Sequence, residues 1–243
     1  MTMKNNPISI SPGNQKMGSI PSISLPPGLS CKPNPPCIEQ CYARQSYVQY
    51  PSVRRAWDRN LAYYKKDSLD YFKRINGYLQ YHQPPYFRYH VAGDIPDQQY
   101  LNNIVLTARK NKTTAFMVFT KRFDFNFNFN FNFNFNFEPE IKIQNQNSYF
   151  DFNFEAEPEP EPEPVQNLKI ILSRWPGDDD DFNSNLKSNV NSNIADFPMA
   201  WMKPKDGSET RIPADAYHCR GKCTDCFFCY ALAGNRHVYF NLH

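Results

Sequence analysis

Seven cysteines fall into two knots of this 243-residue chain and nowhere else. The first knot is Cys31, Cys37 and Cys41, spaced C-x5-C-x3-C. The second is Cys219, Cys223, Cys226 and Cys229, spaced C-x3-C-x2-C-x2-C. A thiolate is a soft, charged ligand, and short loops let several converge on one metal centre. The spacing predicts a metal protein, with an iron–sulfur cluster of the 4Fe–4S kind, one or two per chain, as the favoured cofactor. Three thiols on a cluster leave one iron with an open position, which can take a substrate or cofactor.

Cys223, Cys226 and Cys229 have the tight spacing that wraps an iron–sulfur cube in bacterial-type ferredoxins, although there the fourth thiol follows the triplet. Zinc is the alternative. Zinc ribbons usually separate two C-x2-C pairs by a longer span, whereas all four thiols here lie within eleven residues. At the first knot the rival is a structural zinc site completed by a histidine. The spacing leaves open whether the terminal four serve one centre or join the first three.

Composition bounds the rest. With 40% hydrophobic and 21% charged residues, the chain can bury a proper core. The net charge of +3 permits nucleic acid as a partner without demanding it. No signal-like apolar run opens the chain and no stretch is long enough to span a bilayer, so a soluble cytoplasmic protein is expected, with no membrane partner. A reducing compartment keeps thiols free for metal. A secreted disulfide protein is the competing reading, and an odd cysteine count argues against it.

The elements that must position the knots follow from periodicity. Met1 to Ser30 reads as an extended arm with a turn at Asn14–Gly18, and Ile20, Ile23 and Leu25 as an edge strand. Cys37 and Cys41 are four apart, so a helix starting there would carry both on one face. Ser52 is placed as the cap of a helix through Tyr64, with Trp57, Leu61 and Tyr64 facing the core. Asp67 or Ser68 caps a second helix with Leu69, Phe72, Ile75 and Leu79 on one face. Arg54, Arg55, Arg59, Lys65 and Lys66 make a basic surface. Tyr86–Asp94 is a strand ending in a turn, Asp97–Lys110 a helix, and Thr114–Lys121 a second strand. Such β-α-β units make parallel sheets, whose ligand sites gather at the carboxyl ends of strands. His90, Asp94, Thr120 and Lys121 fall there. His90, Asp94 and Lys121 are the pocket candidates, and Gly93, Asp94 and Ser173 the cofactor-binding ones.

From Phe123 to Pro164 the pattern breaks into Phe/Asn and then Glu/Pro repeats, read as an insertion between core strands. Without it roughly 200 residues remain, short of the ~250 of an eight-stranded barrel. Val165–Ser173 resumes the sheet as a third strand, and Pro198–Met202 is a further short strand. The acidic run Asp178–Asp181 reads as a solvated loop. The expected fold is α/β: a partial (β/α) barrel-like parallel sheet with cysteine-rich metal knots and a low-complexity insertion. Residues 1–122 and 165–243 supply the two parts of one core, and 123–164 the insertion.

Several pieces together resemble the phage gene product 88 family, whose members occur in bacteriophages and bacteria. They are Asn14–Gly18, Ser24–Pro27, Cys31 with Cys37–Ala43, Trp57 with Asn60–Leu61, Arg88–Asp94, Thr120–Lys121, Leu172–Gly177 and Cys219–Tyr230. The family brings no settled activity or substrate with it. The Cys41-Tyr42-Ala43 tripeptide and the strand ending in Gly93-Asp94 also look distantly like radical S-adenosylmethionine enzymes. That likeness implies a partial barrel, an open cluster and S-adenosylmethionine as cofactor. The radical enzymes use C-x3-C-x2-C, where this chain has Arg44 at the third position, and a Gly-Gly-Glu segment where it has Ala92-Gly93-Asp94. Two readings stand. One is an iron–sulfur protein, either a radical-type enzyme or an electron carrier or regulator. The other is a zinc-stabilised binding module, for example for nucleic acid.

Overall fold

A computed structural model describes residues 7–129, 165–175, 197–204, 212–232 and 236–241. The strands are β1 (Ile10–Ser11), β2 (Ser22–Ile23), β3 (Tyr86–Tyr89), β4 (Ala115–Thr120), β5 (Leu168–Arg174), β6 (Met199–Lys203), β7 (Tyr217–His218) and β8 (Val238–Asn241). The helices are α1 (Tyr42–Gln49), α2 (Pro51–Lys66), α3 (Ser68–His82) and α4 (Gln98–Lys110). The strands form one sheet in the order β1-β2-β3-β4-β5-β6-β8-β7. Every pairing is parallel except β1 with β2. The barrel-like expectation reduces to this coarser architecture, an α/β fold whose mostly parallel sheet has two edges, β1 and β7.

Alternation along the strands sorts the side chains onto two faces. Phe87, Tyr89, Phe116, Val118, Leu168, Ile170 and Leu172 join the helices in the main core, against Leu61, Tyr71, Phe72, Ile75, Leu79, Leu101 and Ile104. Burying each such side chain stabilises the fold by about 1.5–3 kcal/mol. Several tyrosine hydroxyls there are paired: Tyr71 with Tyr100 at 3.0 Å, and Tyr64 donating to Asp97 at 2.6 Å. The other face carries Met117 and Ile171, which pack with Met17, Ile20, Tyr230 and Leu232. There the cover is not helix but the terminal cysteine segment.

Connection direction explains this division. Crossovers between parallel strands are right-handed. From β2 to β5 each new strand is added on the same side of the last, which keeps right-handed crossovers on one face. From β7 to β8 the chain steps back by one position, so a right-handed crossover must use the opposite face. That connection is the cysteine segment.

The elements differ locally from expectation for identifiable reasons. Pro51, whose fixed φ suits the first helical position, starts α2, so Tyr50 rather than Ser52 is its cap residue. Asp67 does cap α3, accepting from the Asp70 N–H, and Asp97 caps α4, accepting from the Tyr100 N–H. Leu69 stays exposed at 42%, because the buried face of α3 runs through Tyr71, Phe72, Ile75 and Leu79. Trp57 is half-buried and stacks on Tyr47 at 6.2 Å. Ile23 and Leu25 are fully buried, with β1 outside β2 at the sheet edge. Phe123, Phe125 and Phe127, which open the Phe/Asn repeat, lie in the main core. The repeat beyond Phe129, the Glu/Pro run and Asp178–Asp181 lie outside the described residues.

Candidate metal and ligand site

The first knot sits where β2 leaves the sheet. Asn34 turns with φ of 46°, next to Pro35 and Pro36. Ile38 N–H then donates to the Pro35 carbonyl at 2.9 Å and Gln40 N–H to the Cys37 carbonyl at 3.2 Å. These turns delay the helix. It begins at Tyr42 with Cys41 as its cap residue, so Cys37 precedes the helix instead of sharing its face. The Cys-Tyr-Ala tripeptide is tied down at each residue. Cys41 opens α1, Ala43 is buried, and the Tyr42 hydroxyl donates to the Val91 carbonyl beyond β3.

That hook joins a second set of bonds between the loops after β2 and β3. Leu25 N–H donates to the Ala92 carbonyl at 3.1 Å, and Val91 N–H to Ser24 Oγ at 3.2 Å. Ser30 Oγ accepts from Asp94 N–H at 3.1 Å and donates to the Pro26 carbonyl at 2.9 Å. Gly93 is required at this crossing. Its φ is +78°, and a Cβ would stand 2.5 Å from Ser30 Oγ and 2.6 Å from the Leu25 carbonyl oxygen.

Asp94 is the polar centre of this end of the sheet. Its buried carboxylate accepts from Thr120 Oγ1 at 2.6 Å, Ile95 N–H at 2.7 Å and Lys121 N–H at 3.0 Å. Burial raises its affinity for a proton, and the Lys121 charge and these donors oppose that rise. Lys121 also places its ammonium 5.3 Å from the centre of the Trp175 ring, at the end of β5. Cys31 and Cys37 both lie within the electrostatic reach of Asp94 and Lys121. Burial pushes the Cys31 thiol up to about 11, and the Cys37 thiol upward as well. Thiols and polar groups from the ends of β2, β3, β4 and β5 therefore share one site.

His90 belongs to the core. It is buried at a φ of +62°, and burial pushes its pKa down to about 3. The Ala92 backbone approaches the ring, but neither ring nitrogen meets hydrogen-bond geometry. Ser173 is buried near the carboxyl end of β5. Arg122, which sequence reasoning passed over, locks the site from outside. It donates to the Ile95 and Pro96 carbonyls at 3.2 and 2.8 Å and clamps Asp124.

The second knot lies on the face away from the helices. Cys219, Cys223 and Cys229 pack beside Tyr86, Met117, Phe119 and Tyr230. Phe227 takes a left-handed turn, φ +48°, and stacks on Tyr86 at 4.4 Å. The Asn14–Gly18 turn is its platform: Cys223 N–H donates to the Lys16 carbonyl at 2.7 Å. A Cβ on Gly18 would stand 2.7 Å from the Thr224 methyl. A cavity of about 250 Å³ lies between turn and knot, lined by Met17, Ile20, Pro85, Tyr86, Thr224 and Phe227. Burial and the neighbouring thiols push Cys229 up to about 12 and Cys219 upward.

All seven cysteines are free thiols. Among the described residues a backbone N–H donates to sulfur in each knot, Gly28 N–H to Cys31 Sγ and Gly221 N–H to Cys219 Sγ, both at 3.4 Å. Among the described residues, no three His, Cys, Asp or Glu side chains converge closely enough to hold a metal ion. The donor chemistry nonetheless fits one. Both knots combine mutually influencing thiols with an N–H aimed at sulfur and a nearby cation, the features that stabilise metal-bound thiolates.

A match to the family described as gene product 88 runs over residues 2–137, more than half of the chain. The protein belongs to the gene product 88 family. Within the matched range lie the Asn14–Gly18 turn, the first knot, Asp94 and Lys121. The terminal knot lies beyond it. No curated protein and no solved structure matches the chain, so the likeness to radical S-adenosylmethionine enzymes gains no support there. Among the described residues, no helix is long and apolar enough to cross a membrane.

Proposed function

We propose that this gene product 88 protein is an iron–sulfur protein with two centres. Cys31, Cys37 and Cys41 would hold a cluster with one open iron at the carboxyl ends of the strands. Cys219, Cys223, Cys226 and Cys229 would hold a second on the opposite face. The observation that carries this reading is the shared environment of Cys31, Cys37, Asp94 and Lys121. It supports the reading because two of the three thiols, Cys31 and Cys37, lie within the electrostatic reach of polar groups near the strand ends. A bound cluster would supply one-electron chemistry and a Lewis-acidic iron. The chain's own residues then have defined tasks. Asp94, fixed by Thr120 and two backbone donors, offers a carboxylate to a ligand's hydrogen-bond donor or cation. Lys121, against Trp175, offers the complementary positive charge. A radical S-adenosylmethionine-like reaction is the enzymatic form of this proposal.

Metal and acid-labile sulfide analysis of protein purified without oxygen is the test. Iron and sulfide in comparable amounts are expected. Changing Cys31, Cys37 and Cys41 to Ser should remove one share, and changing the terminal four the other. Zinc without sulfide would end the iron–sulfur reading. Iron without binding or cleavage of S-adenosylmethionine would end its radical branch.

One observation favours a second reading, a zinc-stabilised module that binds nucleic acid. Residues 42–66 hold six Lys or Arg against one carboxylate, Asp58, an excess of five that exceeds the +3 of the whole chain. Arg44, Arg54, Arg55, Arg59, Lys65 and Lys66 are all exposed, near the exposed Tyr42 and Tyr50. Affinity for single-stranded DNA should then fall steeply with salt, and Arg55→Ala should reduce the log–log slope by about 1.

A further inference from the structure

Charge is unevenly placed along this chain. Residues 7–129 hold 16 Lys or Arg against 7 Asp or Glu, whereas residues 130–196 hold 13 acidic residues against 4 basic ones. The net +3 of the whole chain hides this division. Within the basic part the excess gathers on α2. Ser52, Arg55, Arg59, Ala62 and Lys66 are all exposed and recur at spacings of three and four, so they form one stripe along the helix. Arg55 and Arg59 are one turn apart, about 6 Å along the axis. Asn60, Leu61 and Tyr64, on the opposite face, are buried. Two features of the stripe oppose helix stability. Arg54 and Arg55 stand near the positive end of the helix dipole, and the first turns of α1 and α2 hold no acidic residue. Arg55 and Arg59 are like charges at i and i+4. Among the described residues neither makes an ion pair, whereas Arg74 and Arg122 both grip carboxylates. Asp58, the one carboxylate between residues 42 and 66, accepts from the Tyr47 hydroxyl of α1 at 2.6 Å. Tyr50, the cap residue of α2, leads into the stripe with 49% of its surface exposed.

A bound polyanion offsets both penalties. We propose that the outer face of α2 is a docking track for single-stranded nucleic acid, with phosphates along Arg55, Arg59 and Lys66 and a base stacked on Tyr50. The inference rests on the nucleic-acid reading of this basic stretch, and it holds whichever metal the cysteine knots carry. The phosphate backbone supplies the complementary charge, and its released counterions add a favourable entropy. The exposed phenol ring selects a single strand over a duplex, because only unpaired bases offer a free face for stacking. An anionic membrane fits the face less well. A helix lying in a bilayer surface needs an outward apolar side, and the apolar side of α2 faces the core.

The test follows binding of a fluorescent oligo-dT to the full-length protein by anisotropy over a range of salt. Metal content is measured in parallel on the same protein, so the outcome for the knots does not decide the outcome for the track. Arg55→Ala combined with Arg59→Ala should flatten the log–log salt slope by about 1.4, the value for two phosphate contacts on a single strand. Tyr50→Ala should weaken binding about 5–150-fold at unchanged slope, and Tyr50→Trp should restore it. All three positions are exposed, so the variants should melt as wild type does, which separates lost binding from lost folding. Lys222→Ala, at an exposed cation of the terminal knot, is the control and should leave the slope unchanged. Equal flattening by Lys222→Ala would reduce the effect to diffuse charge and overturn the track. Oligo-dT binding that survives the α2 variants would overturn it too, while the nucleic-acid reading stands. No binding to oligo-dT even at low salt ends both. Tighter binding to a DNA duplex, or to phosphatidylserine vesicles, than to oligo-dT would overturn the single-strand assignment.

Discussion

Two residues at the end of β3 carry the strain and the buried polarity that hold the candidate site in place. Gly93 occupies a left-handed conformation where a Cβ would meet backbone and Ser30 within 2.6 Å. Gly93→Ala should therefore cost about 2 kcal/mol or more in urea unfolding, and a loss under about 0.5 kcal/mol would show that the crossing can relax. His90 is held neutral by burial, with its pKa lowered from 6.5 to about 3. The unfolded chain takes up this proton near pH 6.5 while the folded chain resists until about pH 3. The stability tied to neutral His90 is thus complete above pH 6.5 and is lost as pH falls toward 3, by up to about 1.4 kcal/mol per pH unit. His90→Asn tolerates the left-handed backbone and removes the titration. Its stability between pH 7 and pH 4.5 should fall less steeply than that of wild type, and parallel curves would refute the assignment.

At the scale of elements, the short edge strands depend on side chains from elsewhere. β1 and β2 pair over two residues each and cannot persist on those bonds alone. Asn60, fully buried on α2, supplies the missing connection. Its Oδ1 accepts from Ser9 N–H at 2.7 Å, and its Nδ2 donates to the Ser9 and Ser24 carbonyls at 3.0 Å each. Asn60→Ala leaves these backbone groups unpaired and should cost about 2 kcal/mol or more. Hydrogen exchange should show the loss concentrated in residues 9–25, and uniform loosening of α2 and α3 would point to packing instead. Helix periodicity alone marks Asn60 merely as a polar residue beside Leu61. The three bonds that explain it span 36 and 51 positions.

For the whole molecule, the β4 and β5 strands pair in parallel although 47 positions separate Thr120 from Leu168. Between them the Phe/Asn repeat contributes to the core at its beginning. Phe123→Ala and Phe127→Ala should each destabilise by about 3–5 kcal/mol in urea unfolding, and losses under about 1 kcal/mol would show that this start of the repeat is not part of the core. The family match stops at residue 137, yet β5, β6, β7 and β8 all follow it. The N-terminal turn Asn14–Gly18 is completed by contacts with Cys223 and Thr224 at the far end of the chain.

By itself the sequence determined the long helices, the strands β3, β4, β5 and β6 and the cap Asp67. These follow from short-range periodicity and backbone preference, written within a dozen residues. It also singled out the two cysteine knots, because thiol spacing is local, and it placed Asp94 and Lys121 at strand ends through the β-α-β pattern. Tertiary structure alone decided that the two knots lie on different parts of the sheet. It set the first beside Asp94 and Lys121, and the second over the face bearing Arg88. It moved the helix start from Cys37 to Tyr42, where the proline turn holds the chain until Cys41. It also buried His90 in a left-handed backbone conformation. Those outcomes depend on which strands become neighbours and on which face each crossover covers, and a sequence window holds neither partner nor face.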